Sequence, residues 1–248
     1  MTTHAIEIDA LTKQFGGLLA VDSVSLAVKA GERRVLIGPN GAGKTTLFHC
    51  ITGTLSPSSG RVSLFGSDVT ALAESRRTVL GMGRTFQISN VFADLTLAEN
   101  LMLALIGTGR RKWVMHRPVA AYTELRRRAL EGLEQVGLAA RAGESVKHLS
   151  YGERRQLELA LALNSNPKVL FLDEPCAGLS PNERQRISKM IGDLPRKVTL
   201  VMIEHDMDVA LALADRVTVL HRGRIILEGS PAEVQANPEV RDVYFGNV

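Results

Sequence analysis

Apolar and polar positions alternate in short runs along most of the chain, and the runs are of two kinds. Residues 6–8 and 21–28 place apolar and polar side chains in turn, which is typical of strands with one exposed face. Residues 35–37, 169–172 and 199–203 are almost entirely apolar, which favours strands buried on both faces of a parallel sheet. The pattern therefore predicts an α/β protein with a mostly parallel sheet.

The middle of the chain has a different pattern. Residues 97–106 and about 119–136 have helical periodicity, and strand-like alternation is absent from the surrounding sequence. This predicts a helical subdomain inserted into the α/β core, within one domain that spans residues 1–248. The expected division is residues 1–87 and 165–248 for the core with its β subdomain, and residues 88–164 for the helical subdomain.

The first buried run leads directly into a glycine-rich loop. Residues 38–45 are G-P-N-G-A-G-K-T, the pattern of a phosphate-binding loop, and a helix-compatible segment follows. Glycines let successive backbone N–H groups turn toward phosphate oxygens, and the helix adds the positive end of its dipole. We expect Lys44 to reach the β- and γ-phosphates and the Thr45 hydroxyl to bind Mg²⁺. The nucleotide-binding residues predicted here are Asn40, Gly41, Gly43, Lys44, Thr45 and Thr46.

Acidic residues and a histidine follow the other two buried runs. Asp173 and Glu174 come at the carboxyl end of the second run, where α/β sheets place their chemistry. Asp173 is expected to hold Mg²⁺ through water, and Glu174 to orient and polarise the attacking water. The alternative is an acidic turn closed by Pro175. His205 ends the third run, as a surface residue or, by its shared strand-end position, at the γ-phosphate.

Two further sites each allow two interpretations. Residues 149–153, L-S-Y-G-E, precede a helical segment, and Ser150 with Glu153 matches a capping box. A serine at a helix start also forms part of an anion site, and the two interpretations are compatible. Phe15 precedes a Gly-Gly turn in a chain poor in aromatic residues. It is either a core or edge-strand residue or a flat surface for stacking an adenine ring.

Bulk composition excludes several classes of protein. The chain has 248 residues, 45% of them hydrophobic and 23% charged, and a net charge of +4, which is too mild to indicate nucleic-acid binding. No secretion signal and no apolar run of membrane-spanning length is visible. We therefore expect a cytoplasmic protein, so another polypeptide must cross any membrane at which it works. Cys50 and Cys176 do not form a metal-binding spacing.

One segment is strongly basic. Residues 105–130 contain seven Lys or Arg and one acidic residue, a net charge of +6. Such a run is usually a solvated helix face and loop. The alternatives are contact with a partner protein or with anionic lipid headgroups.

Taken together, these motifs resemble the nucleotide-binding subunit of an ABC transporter. The motifs, in order, are G-P-N-G-A-G-K-T, Gln87 in G-R-T-F-Q, L-S-Y-G-E, V-L-F-L-D-E-P and His205 in I-E-H-D. The resemblance covers about residues 4–245. It implies a P-loop (RecA-like), mostly parallel sheet core, an N-terminal antiparallel β subdomain and an inserted helical subdomain. It also implies an ATPase that uses ATP and Mg²⁺ and is coupled to transmembrane transport.

The resemblance also implies roles for individual residues. Phe15 matches the aromatic residue that stacks on adenine, and Gln87 the glutamine that senses Mg²⁺ and the γ-phosphate. Ser150 and Gly152 match the signature motif, which in the family touches the γ-phosphate bound by the opposite subunit. The implied catalytic residues are Glu174, His205 and Gln87, and the implied metal-binding residues are Thr45, Gln87 and Asp173.

Three residues depart from the family pattern. Tyr151 stands where the signature usually has Gly, and Glu153 where it usually has Gln. Glu153 therefore puts a negative charge near a phosphate, which is tolerable only if the carboxylate points away. Ser180 occupies a position that is commonly Asp, in the loop through which the paired sites of the family communicate.

The resemblance extends to partners and location. M-G-R-T-F-Q and the tail N-P-E-V-R-D-V-Y-F-G are similar to the ATPases of branched-chain amino-acid importers. This implies a homodimer, or a heterodimer with a related ATPase, on integral membrane permease subunits at the cytoplasmic face, served indirectly by a solute-binding protein. No nucleic acid is expected. One alternative is a soluble ABC-type ATPase acting on ribosomes or nucleic acid, and another is a kinase, which leaves L-S-Y-G-E and His205 unexplained.

Overall fold

The computed structural model describes residues 3–85, 91–108 and 123–245. The strands are β1 His4–Phe15, β2 Leu18–Lys29, β3 Arg33–Ile37, β4 Ser59–Leu64, β5 Ser67–Asp68, β6 Met82–Arg84, β7 Val169–Asp173, β8 Thr199–Ile203, β9 Arg216–His221 and β10 Arg224–Gly229. The helices are α1 Lys44–Thr52, α2 Glu74–Val79, α3 Leu97–Thr108, α4 Thr123–Gln135, α5 Tyr151–Asn164, α6 Pro181–Gly192, α7 Met207–Leu213, α8 Pro231–Ala236 and α9 Pro238–Phe245.

Two sheets organise these elements. A six-stranded sheet has the order β10-β9-β3-β8-β7-β6, and its strands are parallel except for the antiparallel edge pair β9 and β10. An antiparallel sheet of four strands has the order β2-β1-β4-β5. The predicted fold class, a mostly parallel core with an N-terminal antiparallel β subdomain and a helical subdomain, is confirmed.

The buried strands alternate between two hydrophobic clusters, which explains their continuous apolar sequence. Along β7, Leu170 and Leu172 pack in the cluster shared with the helices, and Val169 and Phe171 in the cluster shared with the antiparallel sheet. Neither face of the strand meets water, so neither face carries polar residues. Helix α1 lies in the second cluster, where the Phe48 ring meets Phe171 edge to face at a centroid distance of 5.2 Å.

Helices α3, α4 and α5 pack against one another through leucines that are fully buried, among them Leu97, Leu101, Leu133 and Leu157. These helices lie within the segment for which a helical subdomain is predicted. The exact boundaries at residues 88 and 164 remain a prediction.

Strand β6 was not predicted from the sequence. Helix α2 ends at Val79, and residues 82–84 then form β6, which pairs in parallel with β7 at the edge of the sheet. A β-carbon at Gly83 would lie 2.8 Å from the Pro167 side chain. Gly83 is therefore required for close packing inside a strand rather than for a turn.

Candidate functional site

The phosphate loop connects the end of β3 at Ile37 to the start of α1 at Lys44. At Gly43 the backbone has φ 98°, and a β-carbon there would lie 2.3 Å from the carbonyl oxygen of Ala20. Any other residue would be strained in φ and would clash with β2. The N-terminus of α1 has no side-chain cap and no acidic residue in its first turn. Its first N–H groups lack intrahelical partners, so the helix presents an open anion site.

The Lys44 side chain is held within this loop. Lys44 is 5% exposed, and its Nζ donates to the carbonyl oxygens of Gly38 at 2.7 Å and Pro39 at 3.0 Å. Burial lowers the pKa of Lys44, and the nearby Glu174 and Asp173 carboxylates act in the opposite direction. The loop therefore holds a largely buried cation close to two carboxylates, as phosphate binding beside a catalytic centre requires.

Glu174 and His205 meet at the adjacent strand ends. The His205 Nε2 lies 2.7 Å from the Glu174 Oε1, and the Glu174 N–H donates to the Ile203 carbonyl at the end of β8. Glu174 has φ 48°, in the left-handed region that non-glycine residues seldom adopt. This strained turn at the carboxyl edge of the sheet places the carboxylate beside the imidazole.

Asp173, the last residue of β7, is buried without a full set of partners. It is 2% exposed, and neither carboxylate oxygen accepts a hydrogen bond from the described residues. Arg84 Nη2 lies 3.9 Å from its Oδ2. Burial raises the pKa of Asp173, and Arg84 opposes this rise. A buried carboxylate with unsatisfied oxygens fits a hard cation that takes oxygen ligands, as Mg²⁺ does.

Most of the predicted site residues line one cavity of about 540 Å³. It is lined by Phe15, Leu18, Leu19, Ala20, Asn40, Gly41, Ala42, Gly43, Lys44, Thr45, Thr46, Glu174, His205, Arg222 and Gly223. Phe15 is 45% exposed, so it is not a core residue, and its ring is available at the cavity mouth. Gln87 lies outside the described residues, and its predicted role stays a prediction.

Ser150 and Gly152 do not belong to this cavity. They line a separate cavity of about 90 Å³ together with Glu153, Gln156, Glu183, Arg186 and Ile187. The capping box is present: Ser150 Oγ accepts from the Glu153 N–H at 3.3 Å, and Glu153 Oε2 accepts from the Ser150 N–H at 2.8 Å. Ser150 and Gly152 therefore do not share a cavity with the phosphate loop of the same chain.

The three departures from the family pattern have partners within the chain. Glu153 forms an ion pair with Arg141, which is the main cause of the lowered pKa of this carboxyl. Its charge is thus compensated. The Tyr151 hydroxyl accepts from Arg155 Nη2 at 3.0 Å and donates to the Ala177 carbonyl at 3.4 Å. Ser180 begins a second capping box, at the start of α6.

Two functional candidates could not be singled out from the sequence. Arg84, beside Asp173, lies three residues before Gln87 in the same motif, and that spacing alone could have drawn attention to it. Glu204 is 2% exposed and accepts from the N–H groups of Cys176 and His205, both at 3.1 Å. Burial raises the pKa of Glu204. Glu204 thereby ties together the two turns that carry Glu174 and His205.

Comparison with known proteins agrees with this geometry. The profile of the ABC transporter family matches residues 21–177. The chain belongs to the ABC transporter family. As an ABC ATPase it binds ATP, and its cassette hydrolyses it. A second profile, described as the branched-chain amino acid ATP-binding cassette transporter, matches residues 224–248.

Relatives of this ABC ATPase are similar along their whole length. The high-affinity branched-chain amino acid transport ATP-binding protein LivG of Salmonella typhimurium is 37% identical over 99% of each chain. The structure of an ABC transporter cassette in its ADP conformation has a TM-score of 0.87 and 31% identity, covering 99% of this chain and 100% of that one. A dimeric cassette structure in a post-hydrolysis state, bound to ADP and Pi, has a TM-score of 0.78 and 27% identity, covering 91% and 98%.

Within the residues that the structure describes, no helix is both long and apolar enough to cross a membrane. Cys50 and Cys176 are free and buried.

Proposed function

We propose that this ABC ATPase is the motor subunit of an importer for branched-chain or related amino acids. Two features support the solute class: full-length similarity to LivG and the C-terminal match at residues 224–248. It works as a homodimer or with a related ATPase subunit, bound to membrane permease subunits at the cytoplasmic face of the membrane. A solute-binding protein delivers the amino acid to the permease.

A single observation carries the ATPase assignment to particular residues. The Glu174–His205 pair lines the same cavity as the phosphate loop, while Ser150 and Gly152 lie in another. The cavity at the phosphate loop thus contains the proposed catalytic pair but not the signature residues, which a second subunit would supply in a paired arrangement. Each nucleotide is then held between the loop of one subunit and the Ser150 helix of the other.

Each of the described site residues has a separate role in the proposed mechanism. The loop amides and Lys44 bind and orient the triphosphate, and Phe15 stacks on the adenine ring. Thr45 and Asp173 would hold Mg²⁺, and the bound ion would neutralise phosphate charge. Glu174 accepts a proton from the attacking water. His205 holds the Glu174 carboxylate through the 2.7 Å contact and would face the terminal phosphate.

The permease is proposed to contact a groove between β6, α2, α3 and α5. This groove, of about 210 Å³, is lined by Glu74, Thr78, Gly83, Arg84, Thr85, Val91, Ala104, Glu158, Leu161, Ala162 and Ser165. Val79 and Phe92 follow the lining residues Thr78 and Val91 in the chain and are 74% and 60% exposed. Large exposed apolar side chains at such a groove favour an interaction surface. Because Arg84 lines the groove and also approaches Asp173, permease contact and metal site share a residue.

The test is Glu174→Gln. We expect ATP affinity within about 2-fold of the wild type and turnover lower by on the order of 10²-fold or more, since a positioned base is lost. Glu134→Gln on α4, which is exposed and outside both cavities, is the matched control and should leave both quantities unchanged. Unchanged turnover in Glu174→Gln would remove Glu174 from the mechanism.

The soluble alternative, an ATPase acting on ribosomes or nucleic acid, is not favoured, because the similar proteins are transport ATPases. The basic segment at residues 105–130 was its only support, and most of that segment lies outside the described residues. ATPase stimulation by nucleic acid with a steep dependence on salt would revive this alternative.

A further inference from the structure

Glu183 connects the start of α6 to the start of α5. Its Oε2 accepts from the Ser180 N–H at 3.0 Å and from the Ser180 Oγ at 2.6 Å. Its Oε1 reaches in the other direction and lies against Gly152, where a β-carbon would stand only 2.3 Å from that oxygen. The carboxylate thus approaches Gly152 as closely as it does only because residue 152 has no side chain.

This contact involves the Gly152 amide, which the partner's nucleotide would contact in the proposed paired site. The Gly152 N–H is one of the groups that lower the pKa of Glu183, after the hydroxyl and amide of Ser180. In the capping box, the Glu153 carboxylate accepts from the Ser150 N–H and the Ser150 hydroxyl accepts from the Glu153 N–H. Two carboxylates of the same chain, Glu153 and Glu183, therefore lie at the N-terminus of α5.

We propose that the Glu183 carboxylate is an internal substitute for the partner's terminal phosphate, holding the Gly152 amide in the separated subunit and releasing it on closure. This inference rests on the proposed paired site. A carboxylate and a phosphate are both anions that accept hydrogen bonds from N–H groups, and they cannot share one amide. Release breaks only the contact of Oε1, because Oε2 remains bound to Ser180.

The consequence is that dimer formation requires a higher ATP concentration than it would without the Glu183 contact. Closure exchanges a carboxylate for a phosphate at Gly152, so part of the interaction with nucleotide replaces an interaction that already existed. Repulsion between the two anions adds to this cost. Arg186 lines the same small cavity and acts electrostatically on Glu183, so it can receive the displaced carboxylate.

The experiment compares Glu183→Gln with Glu233→Gln, both in the Glu174→Gln background so that ATP is not consumed. Glu233 closes an equivalent capping box with Ser230 at α8, also with Pro at the start of the helix. Gln serves in capping boxes, so both helices keep their caps. The purified chain, together with the related ATPase if the two co-purify, is titrated with Mg-ATP, and dimer formation is followed by sedimentation velocity.

We expect Glu183→Gln to form the dimer at roughly 3- to 10-fold lower ATP than the parent, the range that one hydrogen bond to an amide spans. Glu233→Gln should match the parent. Binding of ATP to the separated chain should be unchanged in both. Without nucleotide, hydrogen exchange at residues 151–153 should be faster in Glu183→Gln alone.

Three other outcomes would contradict the inference. Dimer formation at equal or higher ATP in Glu183→Gln overturns the competition. Unchanged hydrogen exchange shows that Glu183 does not hold the Gly152 amide, and also overturns it. A Glu174→Gln parent that binds ATP but never pairs, alone or with its related subunit, refutes the paired site itself and the inference with it.

Discussion

The starts of α1 and α5 are two helix N-termini in the same chain that treat anions in opposite ways. Helix α1 begins after Gly43 with no side-chain cap and no acid in its first turn. Helix α5 begins after Ser150 with a complete capping box, and the Glu183 carboxylate lies over Gly152. The first terminus is an open anion site, and the second is satisfied from within the chain.

The difference corresponds to what each terminus must do in a separated subunit. In the proposed paired arrangement, the site at α1 binds nucleotide from solution, so its amides have to be free and preorganised. The site at α5 would be needed only when a second subunit brings a phosphate. Open N–H groups there would attract free anions in the meantime. We propose that internal carboxylates occupy the N-terminus of α5 until a second subunit binds.

The largest effect is expected from Gly43→Ala, which disturbs the open terminus. The added β-carbon would lie 2.3 Å from the Ala20 carbonyl oxygen, at a residue with φ 98°. The loop must shift, so its amides no longer converge on phosphate. We expect ATP affinity, measured by equilibrium titration, to fall by about 100-fold or more, the loss of several charge-assisted hydrogen bonds.

Gly143→Ala is the control, because its β-carbon meets nothing within 4 Å and its φ is not in the left-handed region. This variant should bind ATP like the wild type. Wild-type affinity in Gly43→Ala would show that the shape of the loop is not what opens the α1 terminus to phosphate.

A smaller effect is expected from removing the cap of the closed terminus. Ser150→Ala and Ser230→Ala each delete the serine of a capping box, at α5 and at α8. Both should lose about 1 kcal/mol in the free energy of unfolding. Only Ser150→Ala should lower ATP turnover, by about 10-fold, since one hydrogen bond to the partner's phosphate is lost. Equal turnover in the two variants would leave Ser150 as a cap and nothing more.

The sequence predicted the elements whose burial leaves a direct mark on composition. The apolar runs at residues 35–37, 169–172 and 199–203 became β3, β7 and β8, because strands buried on both faces cannot carry alternating polar residues. The strand β6 was missed. Its glycine permits close packing against Pro167, a tertiary contact that has no local signal.

The same distinction holds for the site. Lys44, Asp173 and Glu174 occur in contiguous motifs whose chemistry is local, so they could be assigned from the sequence. The contact of Glu183 with Gly152 joins two residues that are 31 positions apart in the chain, at the starts of α6 and α5. Nothing in either segment alone predicts that contact. Contact between distant helix ends depends on tertiary packing, and the pattern of residues along the chain does not reveal it.

The smallest effect is expected from Glu153→Gln, which restores the residue usual in the family. Gln keeps the capping box, but the ion pair with Arg141 is lost. For a partly exposed pair this costs about 0.5 kcal/mol. The effect is expected on the free energy of unfolding. ATP turnover should change by no more than about 3-fold, because Arg141 already compensates the charge of Glu153.

The pKa of Glu153 determines how this difference in stability depends on pH. The folded-state pKa of Glu153 lies below its ordinary value of 4.5, chiefly through the hydrogen bond from Arg141. A depressed carboxyl pKa stabilises the fold fully above the unfolded value and less as pH falls through the folded value. Urea unfolding should therefore show a constant advantage of the wild type over Glu153→Gln near neutral pH, which decreases as pH falls below the ordinary value of 4.5 and is lost once pH falls through the lowered pKa of the folded state. In an Arg141→Ala background the advantage should be absent at every pH, and an advantage that survives there would mean that Arg141 is not what neutralises this carboxylate.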